Sequence, residues 1–261
     1  MRTAIVTGAS SGIGEATARR LAGDGWRVLV VARREDRLRA LVAELEDASF
    51  VAVDLTDADA PARVAAAVDE RLDGRLELLV NNAGSSKRAR FGDEDGGYAT
   101  VRRIMEVNFD AVVRLTEELL PVLRRSAPSS IVNVASVAGR VAYPRGGAYS
   151  ASKFALAGWT EALQQEEAAQ GVHVGLVLPG FIATEGFPQD DLTGSARTRW
   201  LVSRPEKVAD AIVRAGPGGR HEVVVPRGYR VVPVLRAVAP ALVRRVTGQL
   251  GRGEVGDSAR R

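Results

Sequence analysis

The feature that most narrows the fold is an alternation along the chain. Short apolar runs at residues 3–7, 27–32, 50–53, 76–80, 131–135, 172–178 and 222–225 are rich in Val, Ile and Leu. Several are apolar at every position, as strands covered on both faces must be. The stretches between them, 12–22, 36–45, 57–71, 98–123, 149–170 and 205–213, read as helices, and in the first two the apolar residues recur at helical spacing. Strand and helix in strict alternation require right-handed crossovers and a parallel sheet. The expected fold class is therefore α/β: a single doubly wound parallel sheet in a three-layer α/β/α arrangement. Neither an internal repeat nor a linker divides the 261 residues. One domain is expected over 1–247, its last part (226–247) a basic apolar segment, followed by a frayed tail at 248–261.

Composition removes several functions. Cysteine is absent, so thiolate metal sites and disulfides are excluded, and a reducing cytoplasmic setting fits. The only histidines, His173 and His221, lie far apart and read as strand-end residues, so no metal is expected. Met1 and Arg2 lead directly into the first apolar run, with no leader pattern. The most apolar stretch, 231–243, is short and broken by Pro233, Arg236 and Pro240, so no transmembrane helix is expected. The net charge of +4 is spread along helices and interleaved with acids, which argues against nucleic acid as a partner.

The first strand runs into Thr7-Gly8-Ala9-Ser10-Ser11-Gly12-Ile13-Gly14. Gly8 lets the chain turn, Gly12 lets backbone approach a pyrophosphate, and Gly14 lets helix and strand pack closely, as in a Rossmann-type dinucleotide site. The helix that follows offers free N–H groups to phosphate. The second strand ends in Arg33-Arg34, where an acid would select NAD. Arginine there accommodates the 2′-phosphate of NADP(H), the cofactor expected. Arg33 is the stronger candidate, since Arg34 reads equally well as the start of a charged helix. The Ser10 and Ser11 hydroxyls are placed to assist.

Ser136 follows an apolar strand, at the sheet edge where α/β proteins bind ligands. Tyr149 and Lys153 are one helical turn apart and share a face. An adjacent ammonium lowers a phenol's pKa, which would make Tyr149 a usable proton donor and acceptor.

Together these residues resemble the short-chain dehydrogenase/reductase family over roughly residues 3–215. The resemblance rests on the turn from Thr7 to Gly14, on Asn81-Asn82-Ala83-Gly84, and on Asn108, Ser136 and Tyr149-Ser150-Ala151-Ser152-Lys153 in order. It extends to Pro179-Gly180-Phe181-Ile182-Ala183-Thr184 and to Asp54. It implies an oxidoreductase that moves a hydride between NADP(H) and a carbonyl or secondary alcohol. Tyr149 would be the general acid/base, Ser136 the substrate-oxygen donor, and Lys153 the residue that tunes the tyrosine and holds the nicotinamide ribose. Asn108 would support a water leading from Lys153. Asp54 and Leu55 would meet the adenine. Asn81, Ala83 and Gly84 would line the cofactor, and Pro179, Gly180, Ile182 and Thr184 would cover the nicotinamide. Ser85, Phe91, Ala138, Tyr143, Phe181 and the loop 185–204 would line an apolar or mixed pocket for a small-molecule substrate.

A homo-oligomer, dimer or tetramer, is also implied, with Ala151, Ala155, Gly158 and Ala162 as a small-residue stripe on the helix of Tyr149. The chain departs from the family at 222–230, where a glycine-rich strand gives way to Glu222-Val223-Val224-Val225-Pro226-Arg227-Gly228-Tyr229-Arg230. The following segment, 231–246, could cover the substrate pocket, pack on a partner subunit or rest on a membrane surface, with simple packing favoured. The competing function is a catalytically silent NADP(H)-binding sensor, or a surface-binding protein on the same fold.

Overall fold

The computed structural model describes residues 1–183 and 202–250. Its strands are β1 (Thr3–Thr7), β2 (Arg27–Ala32), β3 (Ala48–Ala52), β4 (Leu78–Asn81), β5 (Ser129–Val134), β6 (Val172–Pro179), β7 (Phe181–Ile182), β8 (Val202–Ser203) and β9 (Glu222–Val225). Its helices are α1 (Gly12–Gly23), α2 (Glu35–Ala43), α3 (Ala60–Arg71), α4 (Tyr98–Met105), α5 (Ala111–Arg125), α6 (Gly147–Glu167), α7 (Pro205–Ala215), α8 (Val231–Val238) and α9 (Pro240–Leu250). Seven strands form one parallel sheet in the order β3-β2-β1-β4-β5-β6-β9. The expected Rossmann-type three-layer arrangement is what forms.

Alternation within each strand explains why both faces are apolar. Ala4, Val6, Val28, Val30, Leu78 and Val80 point to one side, where they meet Ala18 and Leu21 of α1 and Val208 and Ile212 of α7. Ile5, Leu29, Val31 and Leu79 point to the other, against Val64 and Val68 of α3 and Leu115 and Leu119 of α5. Each fully buried Leu or Ile stabilises the fold by about 1.5–3 kcal/mol relative to exposure, and the sheet carries many on each side. A slip of one residue would exchange the two layers.

The strand order reverses at β1, whose Val6 lies between Val30 of β2 and Val80 of β4. A reversal of this kind opens a crevice at the strands' carboxyl ends, where the sequence concentrates its candidate residues.

Several boundaries differ from expectation. β3 begins at Ala48, and β4 occupies Leu78–Asn81 instead of beginning at Leu76. Residues 98–123 are not one helix: a π-helical turn, Glu106–Asp110, separates α4 from α5. The wider turn shifts the helical phase, and such bulges recur at functional sites. Asn108 lies inside it. At the far edge of the sheet, His173 and His221 come together with ring centroids 5.0 Å apart, and His173 Nε2 lies 2.8 Å from the Ala215 carbonyl oxygen. Among the described residues, no group of three or more His, Cys, Asp or Glu is placed to hold a metal ion. No described helix is long and apolar enough to cross a membrane.

The segment after β9 meets the body through Tyr229 and Arg236, but much of its apolar surface is not covered. Val231, Val234, Leu235 and Val238 of α8, and Leu242 and Val246 of α9, are exposed. No described residue of α8 or α9 is buried.

Candidate active site

The glycine turn has the geometry its sequence calls for. Gly8 and Gly12 have φ of +68° and +59°, which an L side chain seldom adopts. A Cβ on Gly14 would lie 2.3 Å from the Gly8 carbonyl oxygen, so only glycine permits α1 to start this close to the turn. The loop after β4 is fastened to the same place. Thr7 Oγ1 accepts from the Asn82 and Ala83 amides at 2.9 and 3.0 Å, and Asn82 Nδ2 donates to the Thr7 carbonyl at 2.9 Å. The first-turn N–H groups of α1, which have no acceptor within the helix, thus face a rigid cradle. Neither Thr7 nor Asn82 was singled out as a site residue, although both stand inside the quoted motifs.

The two arginines at the end of β2 have different partners. Arg34 folds over the turn, its Nη2 reaching Ser11 Oγ at 2.8 Å and Ser10 Oγ at 3.0 Å and its Nε reaching Ser10 Oγ at 3.1 Å. Arg33 turns to Asp54, with Nη1 to Oδ2 at 3.3 Å. Burial works against the Asp54 carboxylate, but hydrogen bonds from Thr56 and Arg33 outweigh it and hold its pKa below the usual value. Arg34, not Arg33, is the guanidinium placed against the serines.

Asn81 and its neighbours separate. Asn81 is 2% exposed, and its Nδ2 donates to Thr116 Oγ1 at 3.1 Å and Asn133 Oδ1 at 2.9 Å. Its side chain joins a buried polar network beneath the sheet edge. Gly84 instead faces the candidate catalytic residues: a Cβ there would lie 3.1 Å from Asn108 Oδ1 and 3.6 Å from Lys153 Nζ.

Four candidate catalytic side chains converge from β5, the π-turn and α6. Ser136 ends β5 and caps the short 3₁₀ turn Val137–Gly139, its Oγ accepting from the Ala138 amide at 3.1 Å and donating to the Pro179 carbonyl at 3.2 Å. A Cβ on Gly139 would lie 2.5 Å from the Lys153 carbonyl, so this turn presses directly on α6. That approach sets Ser136 within hydrogen-bonding reach of the Tyr149 phenol. Lys153 is 4% exposed, donates from Nζ to the Val134 carbonyl at 2.9 Å, and lies 5.9 Å from the Tyr149 ring centroid.

Asn108, fully buried, behaves as a clamp. Its Oδ1 accepts from the Ser85 amide at 2.8 Å, and its Nδ2 donates to the Ser85 carbonyl and to Ser152 Oγ, both at 2.9 Å. Both amide hydrogens are thereby used within the protein. Ser152 completes the link by donating to the Tyr149 carbonyl at 2.8 Å. Sequence reading passed over Ser152, whose signal was its place between Tyr149 and Lys153.

Burial, more than the neighbouring ammonium, governs the tyrosine. Burial pushes the Tyr149 phenol up to about 12, opposed by the Ser136 hydrogen bond and reinforced by neighbouring Tyr143. Burial also brings the Lys153 ammonium down to about 8. Desolvation opposes the charged form of both groups, and here it exceeds any help one gives the other. Tyr149 is therefore held as a neutral phenol, a proton donor, near neutral pH.

Around this centre, Tyr143 is largely buried, its pKa raised by desolvation, and Gly146 makes room for its ring. Ala138 is buried and Phe181 is partly exposed, whereas Phe91 is 82% exposed. Tyr229, which sequence reading did not place here, packs on Gly180 and lies edge-on to Phe181 at 6.4 Å between centroids. β7 pairs with β8, with Ile182 opposite Ser203 and buried. Thr184 and loop residues 185–201 lie outside the described residues.

A sequence profile of the short-chain dehydrogenases matches residues 2–192. The chain belongs to the short-chain dehydrogenase/reductase family. Family members similar to it include ketoacyl reductase HetN of Nostoc sp., 32% identical over 227 residues spanning 86% of this chain and 78% of that protein. The 3-ketodihydrosphingosine reductase of Bos taurus is 32% identical over 251 residues, 90% of this chain and 75% of its own. Among solved structures, a short-chain dehydrogenase from Streptomyces avermitilis superposes with a TM-score of 0.79 at 30% identity, covering 97% of each chain. Membership makes the protein an oxidoreductase of carbonyl or CH–OH groups with a nicotinamide cofactor, NAD or NADP.

Proposed function

We propose that the protein is an NADP(H)-dependent carbonyl reductase, with Tyr149 as proton donor, acting on an apolar 3-ketoacyl-type substrate. The observation that carries this reading is the meeting of Ser136, Tyr149 and Lys153 beside a cradle that only glycines at 8 and 14 allow.

The residues present fit a dinucleotide. The turn from Gly8 to Gly14 and the start of α1, with Ser10, Ser11, Gly12 and Ile13, would take the pyrophosphate. Arg34, with Ser10 and Ser11, would take the 2′-phosphate, since guanidinium and hydroxyls converge there. Arg33 and Asp54 would frame the adenosine side with Leu55, and Ala83, Gly84 and Lys153 would hold the nicotinamide riboside. Pro179, Gly180, Ile182 and Thr184 would complete the cover. When bound, the cofactor supplies the hydride.

The chain's own residues do the rest. Ser136 and Tyr149 bind one substrate oxygen between them and orient the carbonyl. As negative charge grows on that oxygen, the neutral Tyr149 phenol transfers its proton to it. Lys153, fixed by the Val134 carbonyl, lies close enough to stabilise the phenolate left behind. Asn108 positions α6 through Ser152. The substrate class rests on similarity to ketoacyl and 3-ketodihydrosphingosine reductases and on the apolar walls offered by Ala138, Tyr143, Phe181 and Tyr229.

The test is NADPH and NADH consumption by the purified protein over a carbonyl panel that includes 3-ketoacyl thioesters, short ketones and steroids. Faster turnover with NADPH and with 3-ketoacyl chains is expected. Preference for NADH, or for a polar short ketone, would refute the corresponding part of the reading.

A further inference from the structure

The segment from Pro226 to Leu250 contains five arginines, Arg227, Arg230, Arg236, Arg244 and Arg245, and no Asp, Glu or Lys. In α8 the apolar residues are no better covered than the basic one. The basic residue Arg236 turns toward the body, where its Nη1 donates to the Arg140 carbonyl at 2.8 Å and its guanidinium lies 4.9 Å over the Phe154 ring of α6. Val231, Val234, Leu235 and Val238 are exposed by 52%, 59%, 36% and 72%. Their spacing, i, i+3, i+4, i+7, places all four on one helical stripe. In α9, Leu242 and Val246 continue the exposed apolar set one turn apart, and Arg244 and Arg245, also exposed, stand between them.

We propose that α8 and α9 lie flat on an anionic lipid surface, the apolar stripe entering the headgroup–acyl boundary and the arginines meeting lipid phosphate and carboxylate. Apolar residues flanked by arginine, with no acid, match the chemistry of interfacial helices. Charge selects the lipid surface over a second copy of this chain. Two such faces brought together would set arginine against arginine with no carboxylate on either side to offset them. The attachment is also firm. Tyr229 packs on Gly180 at one end, and Arg236 is tied to Arg140 and Phe154, so the helices are held beside the wall of the catalytic cleft. A membrane bound there would lie next to the site at which a substrate enters. Neither helix is long enough to span a bilayer.

The experiment is flotation of the full chain with vesicles of phosphatidylcholine alone and of phosphatidylcholine mixed with phosphatidylserine, at low and high salt. Binding to the mixed vesicles, weakened by salt, is expected. One variant, Arg244→Glu with Arg245→Glu, should lower the partition coefficient by roughly 25-fold or more, given about 1 kcal/mol per basic residue at such a surface. A second, Val234→Asp with Val238→Asp, should abolish flotation. Because these side chains are exposed, both variants should keep the parent's melting temperature and its NADPH affinity. No flotation with either vesicle, or equal flotation with both, would overturn the proposal. So would a dimer, seen by light scattering, that these substitutions dissolve while vesicles remain unbound.

Discussion

At the scale of single residues, the candidate site is governed by burial. Tyr149 and Lys153 are both pushed toward their neutral forms. For Tyr149 this suits reduction, since the donor must hold its proton. Tyr149→Phe keeps the ring and removes that proton, and turnover should fall by about 10²–10⁴-fold with NADPH affinity little changed. Stopped-flow turnover and fluorescence titration would check the two halves separately. Lys153 carries a pH signature. Its folded pKa of about 8 lies below the ordinary 10.5, so below about pH 8 both folded and unfolded chains hold the proton and the full cost of burying the cation is present. Between the two values the unfolded chain binds more protons, and the stability contributed by this group rises with pH. Relative to Lys153→Met, the natural protein should gain roughly 2 kcal/mol between about pH 7 and pH 9.5 in denaturant titrations. A parallel pH dependence in the two proteins would contradict the assignment. The arginines give a third check. Arg34→Ala should raise the KM for NADPH by about tenfold or more and leave that for NADH nearly unchanged, whereas Arg33→Ala should do less. The presence of a basic pair at the end of β2 was legible in the sequence, but which of the two bends over Ser10 and Ser11 depends on backbone direction after β2. The competition of Asp54 for Arg33 depends on register between strands. Neither is encoded locally.

At the scale of elements, the apolar runs gave the seven strands of the sheet, several of them apolar on both faces, and the helices between them, but not β7, β8, α8 or α9. What they could not give either was the break inside residues 98–123. The amphipathic spacing continues through Glu106–Asp110, and the π-turn arises from tertiary packing that draws Asn108 inward to Ser85 and Ser152. Asn108 acts through these contacts as a positioning residue. Asn108→Asp would replace two amide donors by carboxylate oxygens facing the Ser85 carbonyl. It should lower melting temperature and kcat together, while Asn108→Ser, too short to reach, should affect both less; thermal unfolding alongside steady-state kinetics separates the cases. The glycine turn is the opposite case, because its geometry is written in the residues themselves. Gly14→Val would drive side-chain atoms into the Gly8 carbonyl, so cofactor binding should be lost in isothermal titration even where the chain still folds. Retained NADPH affinity in that variant would show that the cradle lies elsewhere. The segment after β9 was legible as basic and apolar. Its exposed apolar stripe was not, since the contacts that hold Arg236 to Arg140 and Phe154 depend on distant parts of the chain.

At the scale of the whole molecule, the sheet order places the crevice between β1 and β4, at the carboxyl ends of the strands that Gly8, Asn81 and Ser136 follow or end. On α6, Ala151, Gly158 and Ala162 are exposed, Ala155 is half-buried, and nothing lies within 4 Å of a Cβ built on Gly158. This face is open to a second subunit, as the family resemblance leads one to expect. Light scattering should give at least a dimer at micromolar concentration, dissociated by Gly158→Arg, and a monomer in the unaltered protein would exclude it. The central claim, that this chain reduces carbonyls and does not merely bind the dinucleotide, is tested most directly by following the hydrogen itself. The purified protein is supplied with NADPH deuterated at the nicotinamide C4 and with a 3-ketoacyl thioester, and the product is analysed by mass spectrometry. The account predicts deuterium at the new carbinol carbon, in one stereoisomer, and its loss with Tyr149→Phe. NADPH that binds tightly yet leaves no deuterium in any product of the carbonyl panel would mark a silent binder and contradict the account.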